Sequence, residues 1–410
     1  RFETIISNAD RPALGMFQLA IVGKTNSGKS TFFSAATLVD AEIASRPFVT
    51  IKPNRGVAYL RAECPCKEFG VKCQPRNSKC VDGTRLIPID VIDVAGLVPG
   101  AHLGRGLGNQ FLDDLIRADA LIHVVDVAGA TDEQGNPTQP GTRDPVEDVT
   151  FFETELEYWL LGILKRGLEA SRGRLRQPGA DPASILHDRL SGLGIELESL
   201  KAILKNHPIG PDSGDEELLE FIAELREVSK PITLAANKID LPHAKENLDR
   251  LKETFPDMLI VPVSAEAELA LRRAAEKGLI EYTPGDPDFE IKTPLPEPQK
   301  KALEMIRERV LQPYGSTGVQ EIIDRTVYDF LNMVVVYPVA SHTHLTDTRG
   351  AVLPDAHVVP PGTTVRQLAY RIHTDIGEKF IGAIDARTKR KLGEDHVLKN
   401  GDVIEILTSR

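Results

Sequence analysis

The sequence predicts an α/β protein: a mainly parallel sheet with helices on both faces, interrupted by a helical insertion and followed by a small α+β module. Three observations carry this. Four runs, MFQLAIVG (16–23), LIPIDVID (86–93), ALIHVVDV (120–127) and PITLAAN (231–237), are continuously apolar, as strands buried on both faces must be. Between the third and fourth of them, residues 146–228 carry apolar side chains three and four apart with charges between, the spacing of amphipathic helices. From about Met333 the pattern turns to short strands, VVVYPVA (334–340) and DVIEILT (402–408), around one helix, TVRQLAYRIHTDI (364–376).

At 410 residues and 41% hydrophobic content the chain can fill two or three cores. The expected division is a nucleotide domain over 16–145, the insertion over 146–228, a return to the nucleotide domain over 229–336 and a terminal module over 337–410. Residues 1–15 precede Met16 and read as an expression remnant. TPGDPDFEIKTPLPEP (283–298), with five prolines, reads as an extended connector, and GVQEIIDRTVYDFL (318–331) as a closing helix. A net charge of −11 argues against wholesale electrostatic binding of nucleic acid and leaves room for local basic patches such as RTKRK (387–391). No run approaches the roughly 20 apolar residues of a membrane span, and no signal-peptide core is present, so a cytoplasmic monomer with no membrane partner is expected.

The first strand breaks into GKTNSGKS (23–30), which matches G-x-x-x-x-G-K-S, before STFFSAATL (30–38) takes up helical spacing. Glycines let backbone N–H groups wrap phosphates there, and the helix start adds its positive dipole end. Lys24, Asn26, Ser27, Gly28, Lys29, Ser30 and Thr31 are the expected nucleotide contacts, with Lys29 reaching the β- and γ-phosphates and the Ser30 hydroxyl ligating Mg2+. DVAG (93–96) ends the second strand: Asp93 would hold Mg2+ through water, and Gly96 would offer its N–H to the γ-phosphate. The glycine-rich segment 96–108 would refold when that contact is lost, and RPFVTIKPNRG (46–56) offers Thr50 as a second hydroxyl for Mg2+.

NKID (237–240) ends the fourth strand. Its Asp240 would accept from guanine N1–H and the 2-amino group, neither of which adenine has. Asn237 would orient the base edge and the loop, the Lys238 stem would cover the ring, and PVSA (262–265) would supply Ser264 and the Ala265 N–H for guanine O6. Four motifs in this order, each after a strand, describe a P-loop GTPase domain. Leu97 stands directly after DVAG, where a glutamine would orient the attacking water, so unaided hydrolysis should be slow. His102, a monovalent cation or a bound partner can fill that role, and His102 can equally be an exposed loop histidine without one.

With these residues placed, the chain resembles the Obg-like branch of translation-factor-type GTPases, most closely the YchF-like proteins and their archaeal relatives. PFVTIKPNRG and DVAGLVPGAHLGRGLGNQFLDDLIRADALIHVVD look like that branch's two switch segments. The resemblance implies a hydrophobic residue in place of the catalytic glutamine, as Leu97 is, a helical insertion, and K+ stimulation through Asn26. YchF proteins proper alter the base reader and tend to prefer ATP, whereas NKID is intact here, which implies GTP. LPDAHVVPPGTTVRQLAYRIHTDIGEKFIGAIDARTKRKLGEDHVLKNGDVIEI (353–406) looks like a TGS domain, which implies a ubiquitin-like (β-grasp) fold and contact with RNA or ribosomes. Arg366, Arg371 and RTKRK would meet phosphates, or form a solvated charge run. The expected function is a slowly hydrolysing GTP switch associated with ribosome or RNA; its rival is a nucleotide-gated scaffold with negligible turnover.

All four cysteines fall in ECPCKEFGVKCQPRNSKC (63–80), as C-x-C-x6-C-x6-C. Cys64, Cys66, Cys73 and Cys80 can hold Zn2+ or another metal, form two disulfides, or remain free thiols. Lys67, Lys72, Arg76 and Lys79 in the same knuckle offer a contact to a phosphate backbone.

Overall fold

Each buried run becomes a strand. The computed structural model describes residues 17–38, 54–94, 96, 115 and 118–409. Thr50, Leu97 and His102, the N-terminal stretch 1–15 and most of both switch segments lie outside the described residues. Strands β1 (Gln18–Val22), β2 (Asn54–Glu63), β3 (Lys79–Val81), β4 (Thr84–Asp93), β5 (Ala120–Asp126), β6 (Ile232–Asn237) and β7 (Ile260–Val263) form one sheet in the order β2-β4-β1-β5-β6-β7, with β3 antiparallel to β4. β4, β1, β5, β6 and β7 are parallel, and β5 is buried at every position. Ile21 pairs with Asp93, Asp126 with Asn237 and Asn237 with Val263, so the carboxyl ends of five strands reach one edge. That edge is where ligands of parallel sheets bind.

Helix α1 (Lys29–Thr37) follows β1 directly. The insertion consists of α2 (Pro145–Leu175), α3 (Pro182–Leu190), α4 (Leu197–Asn206) and α5 (Asp215–Ser229). Asp144 caps α2 by accepting from the Val146 N–H at 3.0 Å, Pro145 opens it, and acids in its first turn and arginines in its last suit the helix dipole. Its stripe of Phe152, Leu156, Leu160 and Leu164 packs with Leu200, Phe221 and Leu225 onto Ala20, Ile92 and Leu121 of the sheet. On the same face, beside the start of α2, α6 (Ala244–Thr254) sets Leu248 and Leu251 against Leu234, Ala236 and Val149, and α7 (Ala265–Glu276) follows β7. The connector read at 283–298 contributes to a two-stranded hairpin, β8 (Ile280–Glu281) with β9 (Glu290–Ile291), and then enters helix α8 (Glu297–Ile306). Of α8 only Leu303 is buried, and with Ile306 one turn on it forms a short apolar stripe in the second half of the helix that packs with Leu311. The closing helix runs as α9 (Val319–Arg325) and then widens into a π-helical turn over Thr326–Phe330.

The terminal module is a five-stranded mixed sheet in the order β11-β10-β14-β12-β13, built from β10 (Val334–Val339), β11 (His357–Val359), β12 (Phe380–Asp385), β13 (Lys391–Leu392) and β14 (Val403–Thr408). The single helix expected over 364–376 is two, α10 (Val365–Ile372) and α11 (Thr374–Glu378). Thr364 and Gln367 form a capping box for α10, whereas His373 turns extended and caps α11 by accepting from the Asp375 N–H.

The chain divides into two compact units. One runs from Gln18 to Val57 and from Asp90 to Ile322; the other takes Ala58–Ile89 together with Ile323 to the C-terminus. In space the cysteine knuckle thus belongs with the terminal module.

Within the first unit His123, on β5, is buried with its ring 4.5 Å from that of Phe152, and its Nδ1 has no hydrogen-bond partner among the described residues. Burial, reinforced by Lys29 and Lys24, lowers its pKa from 6.5 to about 3. A depressed folded-state pKa gives stability that is complete above the unfolded value and lost as pH falls towards the folded one. Unfolding by urea should therefore show a loss from this residue of about 2–3 kcal/mol between pH 7.5 and 4.5. His123→Gln should flatten that part of the curve; an unchanged slope would contradict the neutral buried ring.

Candidate functional site

β1 hands the chain to a loop whose shape only glycine permits at two points. Gly23 has φ +139°, and a Cβ there would lie 2.4 Å from the Val124 carbonyl oxygen. Gly28 has φ +99°, and its Cβ would lie 2.1 Å from the Asn237 side-chain nitrogen. The loop between them ends at the N-terminus of α1, where Lys29 is buried and its ammonium donates to the Lys24 carbonyl at 3.0 Å. Burial lowers the Lys29 pKa, and Asp93 opposes the shift.

Ser30 donates to Asp93 Oδ2 at 3.1 Å, and Asp93 Oδ1, equally buried, has no partner among the described residues. Burial raises the Asp93 pKa against the pull of Lys29 and Ser30. An orphaned buried carboxylate oxygen beside a hydroxyl is a donor set that fits a small hard cation such as Mg2+. Gly96 lies over the same loop: a Cβ built on it would be 3.0 Å from the Thr25 hydroxyl and 3.5 Å from the Lys29 ammonium.

On the base side, Asn237 is buried at the end of β6 and spans two motifs. Its Nδ2 donates to the Ser27 carbonyl at 2.9 Å, and its Oδ1 accepts the Ala265 N–H at 3.0 Å. Lys238, held at φ +65°, donates to the Asn26 carbonyl at 3.0 Å and to Asp126 at 2.8 Å. Ser264 caps α7, and its own N–H donates to the Thr317 carbonyl at 2.9 Å. Asp240 is half-buried, and its carboxylate makes no hydrogen bond or ion pair among the described residues.

Two residues do something other than expected. The Lys24 ammonium turns to the insertion, pairing with Asp148 at 2.6 Å and donating to the Thr131 carbonyl at 3.1 Å, so only its backbone faces a phosphate. The Ala265 N–H, expected on guanine O6, is committed to Asn237. Ser27 and Thr31 sit on the loop and first helical turn, and the Ser27 hydroxyl is buried without a partner among the described residues.

The sequence reading assigns no site residue to 126–148, yet this segment forms the outer wall of the loop. Asn26 Nδ2 donates to the Gly135 carbonyl at 2.8 Å, Thr131 donates to Asp126 at 3.0 Å, and Arg143 holds Asp148 at 2.8 Å. One signal was there to be read: Asp148 sits four residues before Phe152, a charge on the buried stripe of α2.

In the second unit Cys64, Cys66, Cys73 and Cys80 are free thiols whose sulfurs all lie within 4.8 Å of one another. This cluster can hold a metal ion. Burial pushes the Cys64 thiol up, and the Cys73 thiol up to about 11. Of the cations expected to meet phosphate, Arg76 pairs with Asp347 and Asp355, Arg366 with Glu394 and Arg387 with Glu68. Lys389, Arg390 and Lys391 are exposed and unpaired among the described residues.

Comparison with known proteins agrees with this picture of nucleotide domain and module. Family models match in three places: the 50S ribosome-binding GTPase over 18–149, the G4 motif-containing domain of YGR210-like Obg-like GTPases over 235–341, and the TGS domain over 350–408. The uncharacterized GTP-binding protein MJ1332 of Methanocaldococcus jannaschii is 48% identical over 96% of this chain and 100% of its own length. A crystal structure of a GTP binding protein from Pyrococcus horikoshii matches 96% of this chain and 100% of that one, at 39% identity and a TM-score of 0.77. The ribosome-binding ATPase YchF of Haemophilus influenzae is 27% identical over 95% of this chain and 98% of its own.

Asn237→Ala removes the bridge between the phosphate loop and the Ala265 turn and leaves two buried groups unpaired. Affinity for GDP, read by displacement of a fluorescent nucleotide, is expected to fall about 10- to 100-fold, or about 1.4–2.7 kcal/mol.

Proposed function

The chain belongs to the Obg-like, YchF-related family of P-loop GTPases, and on that premise we propose that it is a molecular switch that binds GTP and GDP and hydrolyses GTP to GDP and phosphate at a low unaided rate. The observation that carries the choice of base is Asp240: a half-buried carboxylate with no hydrogen bond or ion pair among the described residues, three residues after the Asn237 bridge. Guanine presents N1–H and a 2-amino group to such an acceptor, and adenine would leave it unpaired. Some relatives are named for ATP and others for GTP; the intact NKID supports the GTP reading for this chain.

In this reading backbone N–H groups of 24–31 cradle the phosphates, and Lys29 exchanges the Lys24 carbonyl for a phosphate oxygen. The Ser30 and Thr50 hydroxyls and the Asp93 carboxylate would hold Mg2+, which would offset phosphate charge. The Gly96 N–H senses the γ-phosphate. Leu97 cannot orient water; K+ near Asn26, His102 or a bound partner does so. A zinc ion at the four cysteines completes the set of ions. The terminal module reads the switch out to a ribosome or other RNA, as the name of the YchF relative and the description of the matching GTPase model suggest, with Lys389, Arg390 and Lys391 as free cations. The protein acts in the cytoplasm as a monomer.

Phosphate release from GTP, followed in KCl and in NaCl with and without ribosomes, is expected to be slow alone and faster with K+ and ribosomes. No turnover under any condition would leave only the scaffold. Asp240→Asn replaces an acceptor with a donor, which suits the 2-carbonyl of xanthine. GDP affinity should drop at least about 100-fold while xanthosine diphosphate gains; unchanged GDP binding would overturn the base assignment.

A further inference from the structure

The knuckle's four sulfurs sit at distances that distinguish its chemical states. Cys64 Sγ to Cys73 Sγ and Cys66 Sγ to Cys80 Sγ are each 3.9 Å. Four thiolates about 2.3 Å from one zinc ion have edges of about 3.8 Å. A disulfide needs about 2.05 Å. The chain builds this arrangement with local devices. Cys64-Pro65-Cys66 turns so that the Cys66 N–H faces the Cys64 sulfur. The Asp82-Gly83 hairpin turn, with both residues left-handed, returns the Gly83 N–H to the Cys80 sulfur and its carbonyl to the Cys64 N–H at 2.8 Å.

Beside the cluster stands Arg85, which is fully buried. Its Nη2 donates to the Leu353 carbonyl and its guanidinium lies 5.4 Å from the Tyr337 ring centroid. Nε and Nη1 have no partner, and no carboxylate pairs with it among the described residues. A guanidinium buried without a counter-charge costs several kcal/mol, about the scale of a whole domain's stability margin. Four thiolates on one Zn2+ carry a net charge of −2, and this is the counter-charge the site otherwise lacks.

The loop closed by Cys73 and Cys80 is also the seam with the terminal module. Gln74 N–H donates to the Val352 carbonyl and Arg76 N–H to the Pro354 carbonyl, both at 2.8 Å. Asn77 makes two hydrogen bonds to the Ala356 backbone, at 2.8 and 3.0 Å. Arg76 adds ion pairs to Asp347 and Asp355 at 2.8 and 2.9 Å. An extended edge of this kind gains its hydrogen bonds only if its ends are fixed.

We propose that Cys64, Cys66, Cys73 and Cys80 bind one structural zinc ion, with Arg85 as its buried charge partner, and that this ion fixes the 74–77 edge against 352–356, so that assembly of the readout unit depends on zinc. The inference extends the zinc assignment of the functional reading and stands independently of the nucleotide.

The test uses the full chain. Elemental mass spectrometry is expected to find about one zinc per chain, and intact mass four reduced thiols. Hydrogen exchange is then followed with zinc bound, stripped and restored, beside GDP binding in the same samples. Stripping should expose the amides of 74–77 and 352–356 and restoring should protect them again, with GDP affinity unchanged. In Arg85→Gln zinc should pass to a chelator at least tenfold faster. Absence of zinc, or two disulfides, would overturn the metal assignment. Zinc present with exchange at 352–356 indifferent to its removal would overturn the assembly claim alone.

Discussion

The nucleotide site hangs on one buried side chain amide. Asn237 is the only group among the described residues that touches both the phosphate loop, through the Ser27 carbonyl, and the base-side turn, through the Ala265 N–H. Its position dictates a glycine at 28, because a Cβ there would overlap its nitrogen. Phosphate loop, strand end and base reader are therefore not three motifs that happen to adjoin. They are one hydrogen-bonded object whose parts lie 210 and 28 residues apart in sequence.

Much of this was legible from residue types because local rules and global fold agree there. Gly23 and Gly28 announce left-handed turns, Ser30 and Asp93 meet at the strand end as their motifs suggest, and four continuously apolar runs announce a parallel sheet. What escaped the sequence are contacts that chain order hides. Lys24 looks like a phosphate ligand until Asp148, more than a hundred residues on, claims its ammonium. The Ala265 N–H looks free until Asn237 takes it. Helix α8 escaped for a different reason: its first turn lies in the proline-rich stretch that reads as a connector, and its apolar stripe, Leu303 and Ile306, begins only in its second half.

The second unit follows a different logic, in which charge rather than periodicity decides. Arg76 and Arg387, two of the arginines that suggested a nucleic-acid face, are consumed in ion pairs that tie the knuckle and module together, and exposed pairs of that kind add little stability each. Their number along one seam gives register rather than strength. The knuckle, placed by chain order between two strands of the nucleotide domain, thus becomes structural material for the module at the other end of the chain.

On the proposed function the edge of the first sheet is a site for a guanine nucleotide, with Asp240 as the group that would choose. Titration calorimetry of the intact chain with GDP and with ADP, each with Mg2+, measures that choice directly. The account predicts GDP binding at least about 100-fold tighter, a difference of about 2.7 kcal/mol. Equal affinities, or a preference for ADP, would contradict it.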